Sequence, residues 1–317
     1  MRIRPWAAWA ILALSVVVTA AQAQTDPLAS WNDGPSKARI VAFVQAVTQP
    51  GGQDYVAPAD RIAVFDNDGT LWSEQPMYFQ LAFALDRAKA MVAKNPELAK
   101  KPAMKAAAVG DVKTLAATGD KGLMELIALT HAGTTSEEFA QVVRDWAKTA
   151  QHPTLKRPYT QLTYAPMREL LDYLRANGFK TYIVSGGGIE FLRVISEQLY
   201  GVPAEQVVGS SIKTKYEVRN GTPVIVRLPE IHKFIGKRPI AAFGNSDGDF
   251  EMLEWTTSAS GPRLGVIVHH DDAAREFAYD RSSHFGRLAR GLDEAPNRGW
   301  TVVSVKSDWK RVFTPTQ

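Results

Sequence analysis

The segment Arg61-Ile62-Ala63-Val64-Phe65-Asp66-Asn67-Asp68-Gly69-Thr70 constrains this chain more than any other. Its four apolar residues, branched and aromatic, read as a buried strand. They run without a break into two carboxylates two positions apart. Such charges at the end of a buried strand are costly unless paired or bound to a cation. A magnesium ion, which prefers oxygen ligands in octahedral array, resolves that cost. The bland alternative is an ordinary acidic turn, so the rest of the chain has to decide.

Strands and helices alternate on the C-terminal side of this segment. Ala165 to Asn177 carries Met167, Leu170, Leu171 and Leu174 on one helical stripe and stops at Gly178. Phe179 to Val184 reads as a strand running into Ser185-Gly186-Gly187-Gly188, with a helix from about Ile189 to Tyr200. Gln206 to Ser211 is a further strand, Lys213 to Val226 a hairpin turning at Asn220-Gly221, and Pro229 to Gly236 a helix. Ile240 to Phe243 is a strand ending in Gly244-Asn245-Ser246-Asp247-Gly248-Asp249, and Gly265 to His269 and Trp300 to Val305 add two more. On the N-terminal side, Pro35 to Val47 has helical spacing. The stretch from about 76 to 150 is helical throughout, with breaks at Gly110, Gly119 and Gly122 and a helix start capped by Ser136. The alternation implies a doubly wound α/β fold with a parallel sheet, whose ligands bind at the carboxyl ends of strands. Asp66 to Thr70, Ser185 to Gly188 and Asn245 to Asp249 all fall there, which argues against an accidental acidic turn.

Those three segments carry a resemblance. Asp66-Asn67-Asp68-Gly69-Thr70 resembles the first motif of the haloacid dehalogenase superfamily, Val184-Ser185-Gly186-Gly187 its second, and Gly244 to Asp249 its acidic fourth. The branch most similar is the phosphoserine-phosphatase-like group, which has a helical cap between the first two motifs. The resemblance implies core residues 24–74 and 160–317 and a cap of residues 75–159. It implies magnesium-dependent hydrolysis of a small phosphate monoester, with Asp66 as nucleophile and Asp68 as general acid and base. Thr70, Ser185, Gly186 and Gly187 would bind phosphate. The metal would take Asp66, the Asp68 carbonyl, and one of Asn245, Asp247 and Asp249. Asn245 departs from the family, which has an acid there. The family's third-motif cation, normally Lys, falls on Arg227 or Lys233, with Lys213 and Lys215 more remote. A phosphotransferase using the same intermediate, or a binding protein that does not turn over, are the rival readings.

Trp72, Glu74 and Tyr78 follow the first motif closely enough to face the substrate: Glu74 to bind an ammonium group, the aromatics to stack. The plainer alternative is that the aromatics staple the cap to the core. His131 and His152 are expected to be structural. His269-His270-Asp271-Asp272 makes a poor metal site, because adjacent strand residues point to opposite faces.

The formal charge is +4, falling to +2 without Arg2 and Arg4, too little to argue for nucleic acid. The chain has no cysteine, which excludes disulfides, thiolate metal sites and a cysteine nucleophile. Arg2 and Arg4, the apolar run Trp6 to Ala21 and the small-x-small site Ala21-Gln22-Ala23 read as a cleaved secretory signal over residues 1–23. A bacterial periplasm is the expected destination, with no membrane contact after cleavage. The mature N-terminus is then expected at Gln24, which the intact mass of protein from a secreting host checks; a full-length mass would count against it.

Overall fold

The computed structural model describes residues 26–219, 222–232 and 237–315, with 211–219 and 222–232 described by backbone alone. The N-terminal segment, Asn220-Gly221 and Lys233 lie outside the described residues.

The strands are β1 Ile62–Phe65, β2 Lys180–Gly188, β3 Val207–Arg219, β4 Thr222–His232, β5 Ala241–Gly244, β6 Leu264–Asp271, β7 Ala278–Tyr279 and β8 Thr301–Ser304. They form one sheet in the order β4-β3-β2-β1-β5-β6-β7, with β8 also paired to β6. β1 lies between β2 and β5 and is parallel to both. The chain leaves β1 toward one side of the sheet and returns on the other, so the carboxyl end of β1 is the topological switch point where α/β sheets bind ligands.

The helices are α1 Pro35–Thr48, α2 Phe79–Lys94, α3 Pro102–Ala108, α4 Val112–Ala117, α5 Gly119–His131, α6 Ser136–Thr149, α7 Ala165–Ala176, α8 Ile189–Tyr200, α9 Phe250–Thr257, α10 Arg290–Arg298 and α11 Val305–Asp308. All four residues of β1 are buried. They alternate between two cores, as a period of two requires. Ala63 and Phe65 pack with α1, α7 and α8 on one face. Ile62 and Val64 pack with Phe250 and Leu253 of α9 and Ala295 of α10 on the other. Phe65 stacks on Phe243 of β5 at 4.3 Å between ring centroids, tying the two strands whose ends carry the acidic segments. Helices α2 to α5 share a separate core built around Leu85, Met104 and Leu126. α6 instead sends Phe139, Val143 and Ala147 into the main core.

The expected elements are present, with four local differences. β2 runs through the whole Ser185-Gly186-Gly187-Gly188 segment, because β3 pairs alongside as far as Gly188 opposite Ser210. Gly122 lies inside α5. The cap of α6 is Thr135, one residue early, where it forms a reciprocal capping box with Glu138. The helix expected from Pro229 is replaced, as far as His232, by β4 pairing antiparallel with β3. Arg227 therefore lies in a strand opposite Thr214, not at a helix start.

Candidate active site

The carboxyl ends of β1, β2 and β5 open into a cavity of about 490 Å³. Asp66, Asp68, Ser185, Gly186, Gly187 and Asp249 line one end of it. The helical block lines the other through α2 and α5.

Asp66 follows β1 directly, and its N–H donates to the Phe243 carbonyl at 2.9 Å, so sheet pairing fixes it. Its carboxyl is pushed well above the usual carboxylate range by burial, and further by the charges of Asp249 and Asp68. Asp68 is raised by burial to about 6, against the Trp72 indole N–H that holds it down. That N–H donates to Asp68 Oδ1 at 2.7 Å. Trp72 is buried against Phe79 at 4.5 Å, so it orients Asp68 and staples α2 to the core, and does not stack on a substrate.

The loop beyond Asp68 is clamped from behind. Gly69 has φ +76°, and a Cβ there would fall 2.0 Å from Asn245 Nδ2 and 2.4 Å from Glu74 Oε1. Asn245 accepts from the Thr70 hydroxyl at 3.2 Å and donates from Nδ2 to Glu74 Oε1 at 2.6 Å. Both polar atoms of Asn245 are thus engaged in the clamp, away from the cavity wall. An acid at 245 would set a carboxylate against Glu74, whereas an amide supplies the donor that Glu74 needs. Thr70 is buried in the same clamp and does not reach the cavity. Glu74, pushed up by burial to about 8, also accepts from Tyr279 at 2.9 Å. Tyr78 stays partly exposed at the cavity edge.

His270 completes the clamp. Its Nε2 donates to the Gly69 carbonyl at 2.7 Å, and its Nδ1 meets the Glu276 carboxylate at 2.8 Å. Burial works against a charged ring, but the Glu276 carboxylate outweighs it and the net effect is upward. Glu276 accepts from the Tyr164 hydroxyl as well. His269 pairs with Asp280, Asp271 accepts from Ser304, and Asp272 pairs with Arg275, so the four residues make no metal site.

Asp247 points away from the cavity: its Oδ1 accepts from the Ala289 and Gly291 N–H groups at 3.0 and 2.9 Å, holding the start of α10. Asp249 is the acid of this segment that faces the cavity. Its Oδ2 accepts from the N–H groups of Asn245 and Ser246 at 2.9 and 3.0 Å, while burial raises its pKa. Gly187 spends its N–H on Ser185 Oγ at 3.1 Å, so its proposed phosphate contact is already taken. The side chains of Arg227, Lys213 and Lys215 lie outside the described residues. Two residues not anticipated are Gln80 and Glu190, both in the wall. Gln80 accepts from the Gly188 N–H at 2.7 Å and lies 3.3 Å from His131 Nε2, joining α2 and α5 to the end of β2. Its only sequence signal is its place on the face of α2 that also bears Ala84. His152 accepts the Thr154 and Leu155 N–H groups on Nδ1 and donates from Nε2 to Gln75, a structural role as expected.

Among the described residues no three His, Cys, Asp or Glu side chains form a ready-made metal cage. The donor set nevertheless fits a hard cation that keeps most of its waters, since magnesium is commonly held by one or two carboxylates. Asp249 and Asp66 repel one another, and a cation held by these residues would offset the repulsion.

The signs of these shifts give a stability test. A carboxyl raised by burial binds a proton in the folded state that the unfolded chain has released, so stability falls as pH rises from about 4 through the raised values. His270, raised in the fold, acts in the same direction above its unfolded value of about 6.5. Magnesium is therefore expected to raise Tm more at pH 8 than at pH 5. Asp66→Asn should raise Tm in EDTA at pH 8 and shrink the magnesium increment. Differential scanning fluorimetry reads both, and an increment independent of pH and of Asp66 would contradict the assignment.

A family model described as haloacid dehalogenase-like hydrolase matches residues 63–254. No curated protein matches. Similar solved structures include a conserved protein of unknown function from Anaerococcus prevotii, 17% identical over 74% of this chain and 85% of that one, with a TM-score of 0.48. Another is a phosphoserine phosphohydrolase-like protein from Francisella tularensis, 16% identical over 75% and 98%, TM-score 0.37. A third is a probable phosphoserine phosphatase from Vibrio cholerae, 17% identical over 68% and 58%, TM-score 0.34. These likenesses are too distant to carry an argument about activity. The family match spans more than half of the chain and takes in all three strand ends that meet at the cavity: the chain belongs to the haloacid dehalogenase-like hydrolase family.

Proposed function

We propose that this protein is a magnesium-dependent phosphatase that hydrolyses small phosphate monoesters through an aspartyl-phosphate on Asp66, and that it acts in a bacterial periplasm. The observation that carries the reading is the convergence of Asp66 and Asp68, at the end of the central strand, with Ser185 and Asp249 in the wall of one cavity.

An Asp66 oxygen bonds phosphorus as the ester P–O bond breaks, and Asp68 gives its proton to the departing alcohol oxygen. Water then bonds phosphorus, Asp68 takes up its proton, and the bond to Asp66 breaks to release inorganic phosphate. A carboxyl raised to about 6 can both hold and yield a proton near neutrality. The Ser185 hydroxyl and the amide end of α8 would hold phosphoryl oxygens. Asp66, Asp249 and the Asp68 carbonyl would bind magnesium, which supplies the positive charge that keeps Asp66 ionised and polarises the phosphoryl group. Residues 75–159 act as the cap that limits access to small substrates.

Phosphate release from an aryl phosphate with magnesium is the direct test. Asp66→Asn should reduce kcat by at least about a thousandfold. Asp68→Asn should cost about 10²- to 10⁴-fold on alkyl esters, and less on aryl esters, whose leaving group needs little protonation. No phosphate from a broad ester panel would sink the reading, and phosphate diverted to added alcohols would favour a transferase.

The pH dependence gives a second test. As the acid, Asp68 must start protonated, so kcat should fall as pH rises through about 6. Trp72→Phe removes the donor that stabilises the ionised form, so this limb should move to higher pH. A limb that stays in place would exclude Asp68 as the group it reports.

A further inference from the structure

The cavity has two ends of opposite chemistry. One holds the carboxylates and Ser185. The other is walled mainly by Leu81 and Ala84 of α2, Leu123, Leu126 and Ile127 of α5, and Phe191 of α8, with Gln80, His131 and Glu190 among them. Spacings of three and four residues put each set on one helical face. Leu126 also belongs to the core of the helical block, whereas Leu123 is 42% exposed and carries the apolar wall to the surface.

We propose that the leaving alcohol of the substrate is uncharged and apolar, an alkyl or aryl group. This rests on the phosphatase reading for which end of the cavity takes the phosphoryl group. Apolar walls in a concave site favour apolar ligands, and a few polar groups fix orientation. A carboxylate or second phosphate on that alcohol would have to give up its water against leucine and isoleucine. A polyol would set its hydroxyls against leucine and isoleucine, where they lose water without gaining partners.

The test is calorimetric titration of the mature protein, with magnesium present, by n-alkylphosphonates from ethyl to octyl. These bind without turnover, so the result is independent of hydrolysis. Kd is expected to fall by about fourfold per methylene until the wall is covered, and 3-phosphonopropionate should bind at least tenfold more weakly than propylphosphonate. Leu123→Glu, at a partly exposed site, should flatten the dependence on chain length. Affinity that is flat or falls with chain length, no binding at all, or tighter binding of the carboxylate would overturn the proposal. Phosphate release from the matching alkyl phosphates separates the two readings. Chain-length-dependent binding without release from any ester would sustain the apolar wall and sink the hydrolase. Release with flat binding would sink only the wall.

Discussion

The crowding of carboxylates at the end of β1 is the constraint around which this molecule is built. Asp66, Asp68 and Asp249 are drawn out of bulk water and toward one another by strands that must pair to form the sheet. Left alone, that arrangement opposes folding. The surroundings offset part of the cost. Backbone amides bind Asp249, an indole N–H binds Asp68, and a histidine paired with its own carboxylate holds the turn from below. The balance is left to whatever enters the cavity.

The sheet supplies rigidity where position matters. β1 is buried on both faces, and the Phe65–Phe243 stack ties it to β5. Reactive groups on strand ends inherit that precision, whereas the helical block has a core of its own and meets the cavity through side chains of α2 and α5. Gln80 is one of them. It bonds to the amide of Gly188 and lies against His131, so the position of the helices is registered at the end of β2.

The parts of this design that depend on local pattern are legible in the sequence. Four apolar residues before Asp66, the leucine stripe of α7 and the glycine run after Val184 specify element, face and strand end from neighbours in the chain. What is not legible depends on partners far away in sequence. Asn245 reads as a weakened metal ligand until Glu74, 171 positions earlier, is seen to need its N–H. Asp247 reads as a ligand until the amides of Ala289 and Gly291 claim it. Trp72 reads equally as a substrate platform or a staple, because its bond to Asp68 spans a turn whose shape the one-dimensional pattern does not reveal. β4 displaces a helix where strand pairing overrides local preference.

The Asn245–Glu74 contact has a consequence for how such chains diverge. A carboxylate and an amide meeting at 2.6 Å in a buried place form a donor–acceptor pair, and neither position is free to drift alone. An acid at 245 would have to share a proton with the carboxyl at 74 or meet another donor there, and a neutral acceptor at 74 would relax the demand for an amide opposite. Substitutions at these two sites should therefore travel together through descent, and Gly69, wedged between them, should stay fixed in either lineage.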